Sequence, residues 1–227
     1  MSSSPDFNLI LASSVHDMKN SLTMLLSSLD EVTQALSEKD DPIARQVPVL
    51  QYELARVNND LVQLLGLYKL GENLLVPHME EHQIADLFRE LQARYAPLFE
   101  NRKIRFEIQA PDDLFGFFDR DLVMNVLNNA ITNALRYTSS GVWLSAQMDG
   151  KDLLIEVSDD GKGYPESMLA QDYTNLTGFS WAEKSTQLGL YFANRIAALH
   201  QSGDRCGRLA ICNEGVNGGG CLRLWLP

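Results

Sequence analysis

Basic residues are scarce in this chain: 19 lysines and arginines stand against 30 aspartates and glutamates, for a formal net charge of −11. So acidic a surface repels phosphate backbones and anionic headgroups, which excludes non-specific binding to nucleic acid or anionic lipid; no direct contact with nucleic acid is expected. Cysteine is rarer still, with only Cys206, Cys212 and Cys221. An odd number near the C-terminus, without a CxxC spacing, argues against a disulfide framework or a zinc site and for reduced thiols in a cytoplasmic protein. No apolar run approaches the roughly 18–20 residues that cross a bilayer, and the opening Met1-Ser2-Ser3-Ser4-Pro5-Asp6 has neither a basic nor an apolar signal region. No membrane segment is expected.

What is present is core material. Hydrophobic residues make up 45% of the 227 and charged residues 22%, too apolar for a disordered chain and enough for one large domain or two unequal ones. Near the N-terminus, Leu11, Val15, Met18, Leu22, Leu25, Leu29, Val32 and Leu36 recur at alternating spacings of four and three. Val47, Leu50, Leu54, Val57, Leu61, Leu64 and Tyr68 do the same, and both series are coiled-coil seams. The polar, proline-bearing stretch from Glu38 to Gln46 reads as the turn of a helical hairpin, with Gly71 stopping its second helix. Pro48 belongs at the start of that helix or kinks it. One hairpin cannot bury both stripes, whereas two hairpins paired as a four-helix bundle can, so a homodimer is expected.

Beyond His82 the period changes. A helix is expected over Ile84 to Glu100, a strand over Lys103 to Gln109 and a long helix from Arg120 to Tyr137. Val142 to Met148 and Leu153 to Ser158 alternate as a hairpin turning at Asp149-Gly150. Gln187 to His200 is helical, and Arg208 to Cys212 and Cys221 to Leu226 are closing strands. The expected class is α+β: a helical hairpin over residues 1–72, a linker over 73–82, and an α/β sandwich domain over 83–227.

His16 follows the seam residue Val15, beside the core stripe and facing solvent, with Asp17 adjoining it and Asn20 one turn further on. A carboxylate that accepts the Nδ1 proton makes Nε2 a better nucleophile, though a solvated surface histidine fits the same three residues. Asn125, Asn128, Asn129 and Asn133 crowd a helix whose interior they disfavour. Asn129 and Asn133, four apart, can aim both amide oxygens at one hard cation such as Mg²⁺, or form a hydrogen-bonded stripe under a loop. Asp159 closes a strand ahead of Gly161 and Gly163, where a carboxylate can accept from the exocyclic amine of a base, or where the chain merely turns. Leu188-Gly189-Leu190 is expected to open a helix whose free N–H groups can meet a phosphate. His78 and His82 are expected to be solvated, and His200 to end a helix as a cation suited to its dipole.

In this order the motifs resemble those of the sensor histidine kinase family, over nearly the whole chain. His16-Asp17-Met18-Lys19-Asn20 looks like the family's H box, Asn129 to Thr138 its N box, and Asp159 to Gly163 its first glycine box. Leu188-Gly189-Leu190 looks like the second, and Gly218-Gly219-Gly220-Cys221-Leu222 matches the usual last turn and strand. The resemblance implies a dimerisation and histidine-phosphotransfer hairpin followed by a Bergerat-type ATP-binding domain. It implies that His16 attacks the γ-phosphate of ATP with Asp17 as proton acceptor, and that Asn129 and Asn133 hold Mg²⁺. Arg136 and Tyr137 would flank the phosphates, Asp159 would bind adenine beside Gly161 and Gly163, and Leu188 and Gly189 would complete the site. The phosphoryl group would pass to an aspartate on a response-regulator receiver, which Asn20 would help to dephosphorylate by orienting water. Fifteen residues precede His16, so the signal is expected from a separate sensor protein, or from a longer chain of which this is a piece.

Where the family has Gly-x-Gly-x-Gly, this chain has Ser185, Gln187 and Gly189, and the lid expected over Tyr164 to Lys184 holds one glycine between its ends, Gly178. An alternative follows: an ATP-independent dimeric histidine phosphotransferase whose degenerate ATP domain docks receivers. The Asn129/Asn133 pair and Asp159 favour the kinase. A protein-serine kinase on the same ATP-binding fold leaves the histidine hairpin unexplained.

Overall fold

The computed structural model describes residues 18, 20–22, 24, 25, 28, 29, 47–72, 74–173 and 184–227. His16, Asp17 and the turn expected over Glu38 to Gln46 lie outside the described residues. The chain divides into two compact units, Met1–Val76 and Pro77–Pro227. Among the described residues no helix is long and apolar enough to cross a membrane.

In the first unit the described residues from Met18 to Leu29 are helical, Asn20 among them and exposed. A second helix runs from Val47 to Gly71. Pro48 falls in its first turn, where a missing N–H breaks no intrahelical bond. The seam residues Met18, Leu25, Leu50, Val57 and Leu64 are between 39% and 54% exposed, apolar stripes repeating every seven residues that a single chain leaves in water.

The second unit opens with β1 (Glu80–Gln83), a helix over Ile84–Arg102, β2 (Arg105–Gln109), β3 (Phe115–Phe118) and a helix over Arg120–Tyr137. The hairpin of β4 (Gly141–Asp149) and β5 (Asp152–Asp159) follows, then a helical turn over Glu166–Leu169 and a helix over Lys184–Leu199. The short strands β6 (Gln201–Ser202) and β7 (Arg205–Cys206) precede β8 (Arg208–Cys212) and β9 (Cys221–Leu226). The main sheet is ordered β2-β4-β5-β9-β8, parallel between β2 and β4 and antiparallel elsewhere. In the β4–β5 turn Gly150 holds φ +65, a left-handed conformation that costs glycine little.

Strand alternation sorts the faces. Leu144, Ala146, Ile155, Val157, Leu222 and Leu224 are each at most 5% exposed and make the core with Phe88, Leu127, Ile131 and Phe192 from the helices. Trp143, Ser145, Glu156, Arg223 and Trp225 occupy the other face, half-buried. The pairing of β1 with β3 has no counterpart in the sequence reading: Glu-Glu-His-Gln and Phe-Gly-Phe-Phe do not alternate, so period carries no signal there. His78 and His82 are four residues apart, but His82 lies in β1 and the two share no helical turn. His78 is exposed beside Glu80, and the His82 ring lies 5.2 Å from that of Phe118.

One expectation is corrected. His200 follows the Lys184–Leu199 helix as expected, but it is fully buried and neutral rather than a cation at the helix end. Its Nδ1 donates to the Ile196 carbonyl at 2.8 Å, and its Nε2 accepts from the Asp119 N–H at 3.1 Å. Burial pushes its pKa down, and only the neutral ring can satisfy both partners. The unfolded chain therefore takes up a proton that the folded chain refuses, and stability falls as pH drops below about 6.5 towards the folded value. Thermal unfolding between pH 7 and 5 is expected to show a smaller loss in His200→Gln than in the parent; an equal loss in both rules His200 out as the cause.

Candidate functional site

The Arg120–Tyr137 helix is fixed at its start by Asp119, whose Oδ1 accepts from the Leu122 N–H at 2.9 Å and whose Oδ2 accepts from the His78 N–H at 2.7 Å. A carboxylate at that end satisfies free N–H groups and suits the dipole. The asparagines along the helix then divide by role. Asn128 is held by the neighbouring helix, its Oδ1 accepting from the Tyr95 hydroxyl at 3.1 Å. Asn129 is 5% exposed, and its Oδ1 accepts from Asn133 Nδ2 at 3.4 Å. Among the described residues Asn129 Nδ2 has no hydrogen-bond partner. An unpaired buried amide costs about 1–3 kcal/mol, a cost that a bound ligand can relieve.

Gly189 borders that amide so closely that a Cβ on it would stand 2.3 Å from Asn129 Nδ2. The structure corrects the place of this segment. Leu188-Gly189-Leu190 does not open its helix, which begins at Lys184. The N–H groups from Leu188 onward therefore serve intrahelical bonds and are not offered to a phosphate. The physical reason is visible in the sequence: from Lys184 to Leu188 there is neither glycine nor proline, so nothing interrupts the helix ahead of Gly189. Gln187 is 3% exposed.

Asp159 ends β5 opposite Val142 and is 7% exposed, on the face of the sheet that carries the core. Its Oδ1 accepts from the N–H groups of Gly161 at 2.7 Å and Gly220 at 3.2 Å, and its own N–H donates to the Gly220 carbonyl at 2.9 Å. Burial pushes its carboxyl pKa up, against those two hydrogen bonds. Among the described residues nothing donates to Oδ2. The glycines around it are there for space: a Cβ on Gly161 would meet the Tyr137 carbonyl oxygen at 2.1 Å, and one on Gly219 the Asp159 carbonyl oxygen at 2.1 Å. A buried acceptor walled by bare backbone suits a flat ligand that carries an N–H donor. Tyr137 is exposed, with the Arg136 guanidinium 5.9 Å from its ring centroid.

Two residues of this region were not legible in advance. Asp160 Oδ1 accepts from the Thr138 hydroxyl at 2.6 Å and from the N–H groups of Ser139, Ser140 and Gly141 at 2.9, 2.9 and 3.1 Å, while Oδ2 accepts from the Ser140 hydroxyl. Burial is the largest single influence and opposes ionisation, but these donors together, led by the Ser140 and Thr138 hydroxyls, outweigh it and hold the carboxyl well below its usual range. The anchored loop joins the asparagine helix to β4, so Asp160 secures the far wall of the Asp159 site. Its stabilisation is present above about pH 3.9 and is lost as pH falls through the folded value. Asp160→Ala is expected to cost about 2 kcal/mol in denaturant unfolding at pH 7, and an unchanged midpoint and slope refute the anchor. The second residue is Asn213, whose side chain brackets Tyr164 as a strand would, accepting from its N–H at 2.6 Å and donating to its carbonyl at 2.9 Å. Only the adjacency of Asp160 to Asp159 hints at either role.

Comparison with known proteins extends this description. The family described as Histidine kinase-, DNA gyrase B-, and HSP90-like ATPase matches residues 118–227. The alginate biosynthesis sensor protein KinB of Pseudomonas aeruginosa is 26% identical over 207 residues, covering 90% of this chain and 33% of KinB. The sensor histidine kinase WalK of Bacillus subtilis is 26% identical over 194 residues, covering 82% of this chain and 32% of WalK. The chain spans about a third of the length of these two relatives. Among solved structures, the catalytic domain of histidine kinase ThkA in a nucleotide-free form superposes with a TM-score of 0.56 at 21% identity, covering 66% of this chain and 97% of that one. The mixed α/β fold of this ATPase group is thereby established for the second unit.

Proposed function

This chain is a member of the sensor histidine kinase family, and from that premise we propose that it moves the γ-phosphoryl group of ATP to His16 and then to an aspartate of a response-regulator receiver. One observation carries the nucleotide half of this reading. Asn129 Nδ2 is a buried polar atom without a partner among the described residues, and Asp159, 7% exposed, accepts both of its side-chain hydrogen bonds among those residues on Oδ1, each residue being bordered by glycines whose Cβ atoms would fill the adjoining space.

Asp159 Oδ2 accepts from the exocyclic amine of adenine, with Gly161 and Gly163 letting backbone lie against the base. Asn129 and Asn133 hold Mg²⁺ through amide oxygens, with Arg136 and Tyr137 beside the phosphates, while Gly189, inside its helix, leaves room beside the Asn129 amide. When bound, the cation neutralises phosphate charge. In the hairpin, His16 Nε2 attacks the γ-phosphorus, the bond to the β,γ-bridging oxygen breaks, and ADP leaves, while Asp17 takes the Nδ1 proton. The wet stripe of Met18, Leu25, Leu50, Val57 and Leu64 supports a homodimer that buries it as a four-helix bundle. Residues 1–72 then form the phosphotransfer hairpin, 73–82 the linker and 83–227 the ATP-binding domain.

Asn20, exposed one turn beyond His16, orients the water that removes phosphate from the receiver. Asn20→Ala is expected to lower receiver dephosphorylation about a hundredfold and leave labelling of His16 intact; undiminished phosphatase activity sinks that role. The buried Gln187, standing where the family has glycine, favours one competing reading, a phosphotransferase that takes phosphate only from other proteins. Calorimetry with ATP and Mg²⁺ decides between them, alongside incubation with γ-labelled ATP. Binding with acid-labile, base-stable label supports the kinase; no binding, with label acquired only from a phosphorylated receiver, supports its rival.

A further inference from the structure

β8 and β9 set Cys212 directly opposite Cys221 in antiparallel register, and both are free thiols. Opposed residues in such a ladder have Cα atoms about 4.5 or 5.5 Å apart, within the roughly 4.4–6.8 Å that a disulfide spans. As directly opposed residues of one ladder, the two side chains lie on the same face of the sheet. Cys206, the third cysteine, is exposed on β7 and outside this pairing.

The pair stands between two contacts of the Asp159 site. Cys212 precedes Asn213, whose amide brackets the Tyr164 backbone. Cys221 follows Gly220, which exchanges hydrogen bonds with Asp159 through both its N–H and its carbonyl. Tyr164 joins the two: a Cβ on Gly220 would lie 3.2 Å from its ring, and its backbone is bracketed by Asn213.

We propose that Cys212 and Cys221 are an oxidisable dithiol, and that closing it to a disulfide with a hydroperoxide loosens the adenine end of the nucleotide site. The effect on binding rests on the ATP reading above. Cys212, the more exposed of the two, attacks a peroxide oxygen: an S–O bond forms, the O–O bond breaks, and the thiol proton leaves with the departing hydroxide as water. Cys221, 1% exposed and kept as a thiol by burial, then attacks the Cys212 sulfur. The S–S bond forms, the S–O bond breaks, and hydroxide departs with the Cys221 proton as a second water. Two thiols are oxidised and one peroxide is reduced.

Opposed Cβ atoms stand about 4.5–5.5 Å apart in a ladder, and a disulfide needs about 3.5–4.5 Å. Closure therefore draws this end of the sheet together by roughly 1 Å. That end is the root of the turn carrying Asn213 and Gly220, so the Gly220 N–H moves off Asp159 Oδ1 and the Asn213 amide off Tyr164.

The test uses the full chain with Cys206→Ser, so that no exposed thiol competes. After hydrogen peroxide and digestion without reductant, mass spectrometry is expected to find the Cys212 and Cys221 peptides joined with the loss of two hydrogens. Calorimetry is expected to find ATP binding about tenfold weaker, recovered with dithiothreitol, and no change on oxidation when Cys212→Ser is added. Failure of the two peptides to join overturns the proposal, as does joining with unaltered affinity. If the reduced protein binds no ATP, the reading of the site fails and the coupling falls with it; the peptide measurement separates that failure from a failure of the dithiol.

Discussion

A His16→Ala chain incubated with γ-labelled ATP and Mg²⁺ is expected to lose labelling by at least about a thousandfold, while its affinity for ATP stays that of the parent. Transfer to a protein side chain needs a nucleophile in reach of the phosphorus, and the substitution removes the one histidine that the sequence has between Met1 and Val76. The binding atoms are unaffected because Asp159, Asn129 and Gly189 belong to the second compact unit. His16 lies outside the described residues, so the expectation rests on its place beside the seam residue Val15 and on the family's H box. A phosphoramidate survives base and is lost in acid, which distinguishes this label from a serine ester. Parent-level label on the variant would falsify the assignment of His16.

Asp159→Ala is expected to weaken ATP binding by about tenfold to a hundredfold. The variant loses a charged acceptor for the base, a contact of about 1.5–3 kcal/mol, and it loses stability besides, because the N–H groups of Gly161 and Gly220 are left without their acceptor. A gentler change separates recognition from folding. In Asp159→Asn the side-chain oxygen still accepts from Gly161 and Gly220, and the amide nitrogen turns a donor towards the ligand, so preference for adenine over guanine is expected to fall or invert. Because burial raises the Asp159 pKa, the ionised form opposes folding above its ordinary range. Asp159→Asn is then expected to match or exceed the parent in Tm at pH 7. The same shift makes ATP binding weaken as pH falls through the folded value, since a protonated Oδ2 no longer simply accepts. Unaltered nucleotide affinity in both variants places the base elsewhere.

Local pattern was enough for much of the second unit. The Arg120–Tyr137 helix, the β4–β5 hairpin turning at Gly150, and the strands β8 and β9 follow from side-chain period and turn chemistry, which are written in neighbouring residues. The candidate residues were legible for the same reason: asparagines four apart on a helix, and a carboxylate two residues ahead of a glycine, are chain-local arrangements. Their division of labour was not. Asn128 and Asn129 are adjacent and chemically identical, yet one is satisfied by Tyr95 from another helix and the other is left with an unpaired amide against Gly189. Burial decided the charge of His200, because the Asp119 N–H that it accepts from comes from 81 residues away. The five donors on Asp160 and the opposition of Cys212 to Cys221 likewise join segments that only folding brings together. Sequence by itself specified most elements of the second unit and the candidate residues, since both depend on spacing along the chain. Tertiary structure settled protonation, partnership and access, since these depend on desolvation and on neighbours distant in sequence.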